Sequence, residues 1–154
     1  MLFRSLAASV TWTAPSPAWS QTDQNDIRTV DMPVTNGSTQ VALRWDYTLS
    51  AWSVLRTTTF TIDGDDIGST FHGSGITSVN NDYRARFNIS RSEVATLIIH
   101  RVTERDAAVY QCKLVVVGNT WGYRIRVIVT GESNCKTNKH VHRLHIHEHV
   151  LENI

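Results

Sequence analysis

The sequence has only two cysteines in 154 residues, Cys112 and Cys135, and none precedes residue 112. Any disulfide within the chain would therefore have to join these two residues. An excess of charge of either sign is also missing, because 15 Lys and Arg residues offset 14 Asp and Glu residues. A nearly neutral chain gives little support to a role in binding nucleic acid or another polyanion.

Long apolar runs and catalytic motifs are absent from the sequence as well. No segment approaches the roughly 18 consecutive apolar residues that a membrane-spanning helix needs. There is no Gly-rich phosphate loop, no nucleophile motif and no pair of carboxylates that a fold would bring into one cleft. We therefore expect a protein without enzymatic activity or cofactor, and no membrane span in this chain.

The first part of the chain carries signs of secretion. Residues 1–20 have the outline of a weak secretory signal peptide, with a basic start, a mildly apolar stretch and small residues, Ala18 and Ser20, at the cleavage positions. Hydroxyl residues interrupt the apolar stretch, so a start without a signal is the alternative. Asn36 and Asn88 begin glycosylation sequons that would be used in the secretory pathway. These features predict an extracellular protein, either secreted or the ectodomain of a cell-surface protein.

Residues 26–130 show the alternation of apolar and polar side chains that is typical of half-buried strands, broken by turn residues at short intervals. This pattern predicts an all-β fold in which two antiparallel sheets form a sandwich, with flexible N- and C-terminal tails. The expected strands are 27–34, 40–47, 55–62, 67–71, 83–89, 95–100, 108–117 and 121–129, and residues 73–82 are expected to form an irregular loop.

One motif within these residues resembles a known protein family. The run Asp106-x-Ala108-x-Tyr110-x-Cys112 resembles the E-F corner and strand F of the immunoglobulin V-set (variable-type) domain. The resemblance covers residues 26–130 and implies an immunoglobulin-like sandwich. It also implies that Tyr110 closes the E-F corner through its hydroxyl and that Arg86 forms a salt bridge with Asp106.

The core departs from the usual V-set pattern. Alignment places Trp45 where strand B normally carries a cysteine and Phe60 where strand C normally carries a tryptophan, so the usual B-F disulfide is missing. A lost disulfide of this kind costs about 2 to 5 kcal/mol, whereas an indole that buries about 150 to 250 Å² contributes about 4 to 6 kcal/mol. We therefore expect a core without a disulfide, built on Trp45, Phe60, Leu97, Tyr110 and Cys112. V-sets that lack this cysteine pair occur among invertebrate cell-surface recognition and allorecognition receptors, to which the pattern is similar.

The resemblance implies a recognition or adhesion module that binds another protein, or a second copy of itself, through the sheet of strands G, F, C and C′. The alternation along these strands predicts which side chains face outward. Plain strand formation and a solvated Arg face would give the same pattern, so this protein-binding surface is a hypothesis. Its residues are Thr57, Thr59, Thr61, Val115, Val117, Trp121, Arg124 and Arg126.

The C-terminal segment, residues 131–154, is rich in histidine and is expected to be disordered. If it were extended, His145, His147 and His149 would share one side and could hold a transition metal. A secreted metal-binding protein is therefore one alternative function. Another is that the chain is a fragment of a longer membrane receptor.

Overall fold

A computed structural model describes residues 8–13, 18–51, 53–91 and 95–131. These residues form twelve β-strands and one turn of 3-10 helix. The strands are β1 (Val10–Trp12), β2 (Trp19–Gln21), β3 (Thr29–Thr35), β4 (Gln40–Arg44), β5 (Tyr47–Leu49), β6 (Leu55–Ile62), β7 (Asp65–Phe71), β8 (Ile76–Val79), β9 (Phe87–Ile89), β10 (Thr96–His100), β11 (Val109–Val116) and β12 (Asn119–Thr130), and the 3-10 turn is Glu104–Asp106.

The strands form two facing sheets and one small additional sheet. The front sheet has the order β3-β12-β11-β6-β7-β8, and the back sheet has the order β4-β10-β9. All pairs are antiparallel except β3 with β12, which are parallel. In the small sheet, of order β2-β1-β5, a hairpin from the start of the chain pairs with Tyr47–Leu49.

The alternation in the sequence produces the hydrophobic core between the sheets. Along β11, buried and half-buried residues alternate without a break, and Tyr110, Cys112, Leu114 and Val116 form the buried set. Their neighbours Leu43, Leu97 and Ile99 of the back sheet are fully buried as well. The all-β sandwich predicted from the sequence is confirmed.

Several strand bounds differ from the sequence prediction. Strand 55–62 has the predicted bounds, but strand 40–47 is divided, because the chain leaves the back sheet after Arg44 and Tyr47 joins the small sheet. Only residues 87–89 of the predicted strand 83–89 are extended, since a turn occupies the residues before them.

The expected irregular loop at residues 73–82 contains the edge strand β8. This strand approaches β7 closely because Gly68 has no side chain, and a Cβ at that position would collide with the carbonyl oxygen of Ser78. The loop prediction was therefore wrong for Ile76–Val79, which form a strand.

The folded part of the chain also begins earlier than residue 26. Val10 and Trp12 are fully buried, and the Trp12 ring lies 5.8 Å from that of Tyr47 and 5.6 Å from that of Tyr123. Gln21 is also buried, and its Oε1 accepts hydrogen bonds from the Trp12 indole N–H and the Gly122 amide. The signal peptide over residues 1–20 stays a prediction, but part of that segment is packed against the sandwich.

Candidate recognition surface

The outer face of the front sheet carries a row of side chains from four neighbouring strands. Val115 lies opposite Thr57, Thr57 opposite Phe71, and Phe71 opposite Ile76. Phe71 and Ile76 are large apolar residues, and 47% and 60% of their surface is exposed. We call these four residues the apolar row.

The hairpin between β11 and β12 ends beside this row. Its turn consists of Val117 and Gly118, with φ of 47° and 79°, so Val117 is not the last residue of the strand that was expected over 108–117. A left-handed backbone is costly for a β-branched residue, and such strain is concentrated at functional positions. Position 117 of the turn is nevertheless a valine, and 59% of its surface is exposed.

The next rows of the outer face are polar. Thr59 lies between Lys113 and Ser69, and its Oγ1 is 3.0 Å from Ser69 Oγ. In the following row Arg124, Gln111, Thr61 and Asp66 lie opposite one another on four strands. A cation and an anion therefore occupy the two ends of one row.

Two residues expected on this surface are buried. Trp121 lies opposite Leu114, so its side chain shares the inward face of β11, and only 2% of its surface is exposed. Thr61 is on the outer side but is 1% exposed, because Gln111 and Asp66 flank it on the two neighbouring strands. The expectation that these two side chains are exposed was therefore wrong. Thr57, Thr59 and Val115 are half-buried, as is Arg124, and Arg126 is exposed.

Arg126 has a partner within the chain. Its Nη1 donates to Asp31 Oδ1 on the edge strand β3 at 3.2 Å, and both side chains are more than half exposed. Ion pairs of this kind contribute little, with a median near 0 to 1 kcal/mol. This contact orients the guanidinium at the side of the sheet away from the apolar row.

Behind the outer face, the inner face of the same strands carries the core residues expected from the sequence. Phe60 lies directly opposite Cys112, and its ring is 5.6 Å from the indole of Trp45. Trp45, Phe60, Leu97, Tyr110 and Cys112 are all buried. The aromatic pair thus fills the volume between the sheets, as expected if it replaces a covalent link.

Cys112 is a free cysteine in the structure, and Cys135 lies outside the described residues. Burial raises the pKa of the Cys112 thiol well above its ordinary value. The thiol is therefore protonated at neutral pH and acts as a small apolar residue in the core.

The corner between β10 and β11 holds the ion pair expected from the sequence. Arg86 Nη2 donates to Asp106 Oδ2 at 2.6 Å, and the same carboxylate oxygen accepts from the Thr103 amide at 2.7 Å. Tyr110 Oη donates to the carbonyl oxygen of Asp106 at 3.1 Å, which is the geometry of a tyrosine corner. Burial raises the Tyr110 pKa far above its usual value, so the hydroxyl stays a donor.

No family model and no curated protein sequence matches the chain. Among solved structures it is similar to murine CRIg, with a TM-score of 0.53 and 15% identity over 65% of this chain and 92% of that one. It is also similar to murine CEACAM1b, with a TM-score of 0.52 and 15% identity over 80% of this chain and 54% of that one.

The fold is that of an immunoglobulin V-type domain. In the letters of the V-type domain, β3 is strand A′, β4 with β5 is B, β6 to β8 are C, C′ and C″, and β9 to β12 are D, E, F and G. At this level of identity the similarity establishes the fold alone. What this V-type domain binds has to be argued from its own surface.

Sequence reasoning missed two residues of the V-type outer face, Phe71 and Ile76. Phe71 ends strand C′ and Ile76 begins C″, a strand that was expected to be a loop. The signal in the sequence was weak but present, because three of the four residues Ile76–Val79 are β-branched and favour a strand.

The remaining predicted sites lie elsewhere on the domain or beyond it. Asn88 is exposed in strand D between the buried Phe87 and Ile89, whereas Asn36 is half-buried in a turn. His145, His147 and His149 lie outside the described residues. Among the residues that the structure describes, no helix is long and apolar enough to cross a membrane.

Proposed function

We propose that this V-type domain is an extracellular recognition or adhesion module that binds a protein through the outer face of its front sheet. The observation that carries the proposal is the apolar row, in which Phe71 and Ile76 are exposed and lie beside the half-buried Val115 and Thr57 on four neighbouring strands. Contiguous apolar side chains on the surface of a soluble domain are typical of interaction sites, especially when a polar rim surrounds them.

The strained hairpin tip beside the row supports the same surface. Val117 keeps a left-handed φ although asparagine or glycine would adopt it at lower cost. An exposed apolar side chain held in such a conformation is explained if it contacts a partner together with the apolar row.

The arrangement of charges favours a second copy of the chain as that partner. One row ends in Arg124 on strand G and in Asp66 on strand C′. If two front sheets face each other about a two-fold axis parallel to the strands, Arg124 of each copy comes opposite Asp66 of the other. Opposite charges at both edges of a self-complementary contact would fix its register.

The extracellular location is supported by the sequon at Asn88, because its side chain is exposed on the back sheet. A glycan at that position would lie on the sheet opposite the apolar row. It would leave the proposed contact surface free.

The experiment is a pair of charge substitutions, Val115→Asp with Phe71→Asp, compared with Ala42→Asp as the control. Ala42 is exposed on the outer face of the back sheet, so the control adds a carboxylate without touching the apolar row. We expect analytical ultracentrifugation to show reversible self-association of the wild type and of the control. In the double variant the dissociation constant should rise by at least about a hundredfold, because two charges would be desolvated.

A wild-type domain that sediments as a monomer at high concentration would exclude the second copy as partner. The labelled domain would then be tested for binding to cell surfaces, again against both variants. Binding that is equal for all three proteins would overturn the proposed surface.

A further inference from the structure

The interior of the sandwich contains a polar row where a core is normally apolar. Leu114 of β11 faces inward and is fully buried, and directly across from it lie Thr58, Thr70 and Thr77 on β6, β7 and β8. Because residues opposite one another share a face, the three threonines continue the inner face of the front sheet. Thr58 is only 2% exposed although its side chain is polar.

These short side chains leave a cavity of about 390 Å³ between the front and back sheets, open to solvent at one end. Phe60 and Ile89 form apolar walls, and the three threonines with Tyr47 and His72 supply polar groups. The volume falls within the range of about 300 to 1,000 Å³ that is usual for small-molecule sites.

The polar groups of the cavity are already held in position by one another. Thr58 Oγ1 shares a 2.8 Å hydrogen bond with His72 Nε2, and Thr70 Oγ1 shares a 3.1 Å hydrogen bond with Thr77 Oγ1. A hydroxyl can donate once and accept twice, so the three threonine hydroxyls keep capacity for a ligand.

The described side chains place no fixed charge inside the cavity. Burial raises the pKa of Tyr47 to about 12 and lowers the pKa of His72 below its ordinary value, so both side chains are neutral at pH 7. Among the lining residues that the structure describes, the one charged side chain is that of Arg91, which is exposed. An ionic ligand would lose its hydration inside without gaining a counter-charge.

We propose that this cavity binds a neutral sugar, either free or at the end of a glycan. A sugar ring presents apolar C–H faces and hydroxyls that both donate and accept, which matches apolar walls beside rotatable threonine hydroxyls. This site is separate from the outer face, since it lies on the opposite side of the same strands.

The test is an NMR titration of the ¹⁵N-labelled domain with methyl glycosides of common neutral sugars, followed by short oligosaccharides. We expect at least one sugar to shift the amide signals of Thr58, Thr70 and Thr77 in a saturable manner. An oligosaccharide that binds more tightly than its terminal monosaccharide would identify a glycan as the source, and equal affinity would identify the free sugar.

The matched variants remove one pair of hydroxyls from each side of the front sheet. Thr70→Val with Thr77→Val removes the inner pair, and Thr59→Val with Ser69→Ala removes the outer pair. The inner variant should weaken sugar binding by about 25-fold, because two ligand hydrogen bonds are lost. The outer variant should bind like the wild type.

Three results would overturn the proposal: no saturable shift with any neutral sugar at high concentration, shifts confined to the outer face, or equal affinity in the inner variant. Tighter binding of acidic sugars that is lost in Arg91→Gln would also overturn it, because a charged ligand at the opening would then be the occupant. None of these results bears on protein binding at the apolar row, which the substitutions at Val115 and Phe71 test independently.

Discussion

The interior of this domain has two ends that differ in how they are filled. At one end the indole of Trp45 packs against the ring of Phe60, which lies opposite Cys112, and all three side chains are buried. At the other end, Thr58, two residues before Phe60 on the same strand, is the first of three neighbouring threonines that line the open cavity. We call these regions the aromatic end and the hydroxyl end.

The difference between the two ends indicates that one part of a sheet can supply stability while another part leaves space for a ligand. The aromatic end buries aromatic surface between the two sheets, where the described residues form no disulfide, and such surface contributes stability in proportion to its area. At the hydroxyl end hydrogen-bonded threonines face an open space, so we expect this end to add less to stability. It can therefore remain open at small cost to the fold.

The largest expected effect is at the aromatic end. Trp45→Ala should lower the free energy of unfolding by about 3 to 5 kcal/mol, because it removes the indole and leaves a cavity between the sheets. The control is Trp45→Phe, which keeps an aromatic ring beside Phe60 and removes an indole N–H that has no hydrogen-bond partner among the described residues. Urea denaturation followed by circular dichroism measures both changes. If the alanine variant lost less than about 1 kcal/mol, the aromatic pair would not be what holds the sheets together.

A smaller effect is expected at the corner that closes the aromatic end. Asp106→Asn should cost about 2 to 3 kcal/mol, because the buried carboxylate accepts charge-assisted hydrogen bonds from Arg86 and from the Thr103 amide.

Asp31→Asn is the matched control for the corner, since it weakens the exposed ion pair with Arg126. Its effect should stay below about 0.5 kcal/mol. Thermal unfolding at low and high salt measures both variants, and equal losses at the two sites would show that burial does not decide the strength of these pairs.

The smallest effect is expected at the hydroxyl end. Thr70→Val with Thr77→Val should change the free energy of unfolding by less than about 0.5 kcal/mol, because both partners of a hydrogen bond are replaced together and neither is left unsatisfied. Urea denaturation of this variant beside the wild type is the measurement. A loss comparable to that of Asp106→Asn would mean that the hydroxyls stabilise the fold, and the contrast between the two ends would fail.

The features that could be predicted from the sequence are those that rest on local pattern. The motif around Tyr110 and Cys112 led to the V-type fold, and the alternation of strand 55–62 placed Phe60 in the core with the observed register. The ion pair of Arg86 with Asp106 followed from the same motif. Along strand F and strand 55–62, a fixed spacing determines which face a side chain occupies.

Features that depend on neighbours distant in sequence were missed. The burial of Trp121 depends on how strand G pairs with strand F, because Trp121 lies opposite the inward-facing Leu114. Phe71 becomes part of an apolar row only because C″ forms beside it. The cavity was also missed, since threonine is a good strand former and its place on the inner face of three strands is visible only once their register is known.

The N-terminal hairpin links processing of the chain to the shape of this domain. Cleavage after Ser20 would remove β1 and Trp19, and Trp12 would no longer cover Tyr47 and Tyr123. The strand Tyr47–Leu49 would then have a bare edge with free amide and carbonyl groups, able to accept an extended segment from another molecule. A trimmed and an untrimmed form would thus present different ends to their surroundings, although the rest of the sandwich stayed the same.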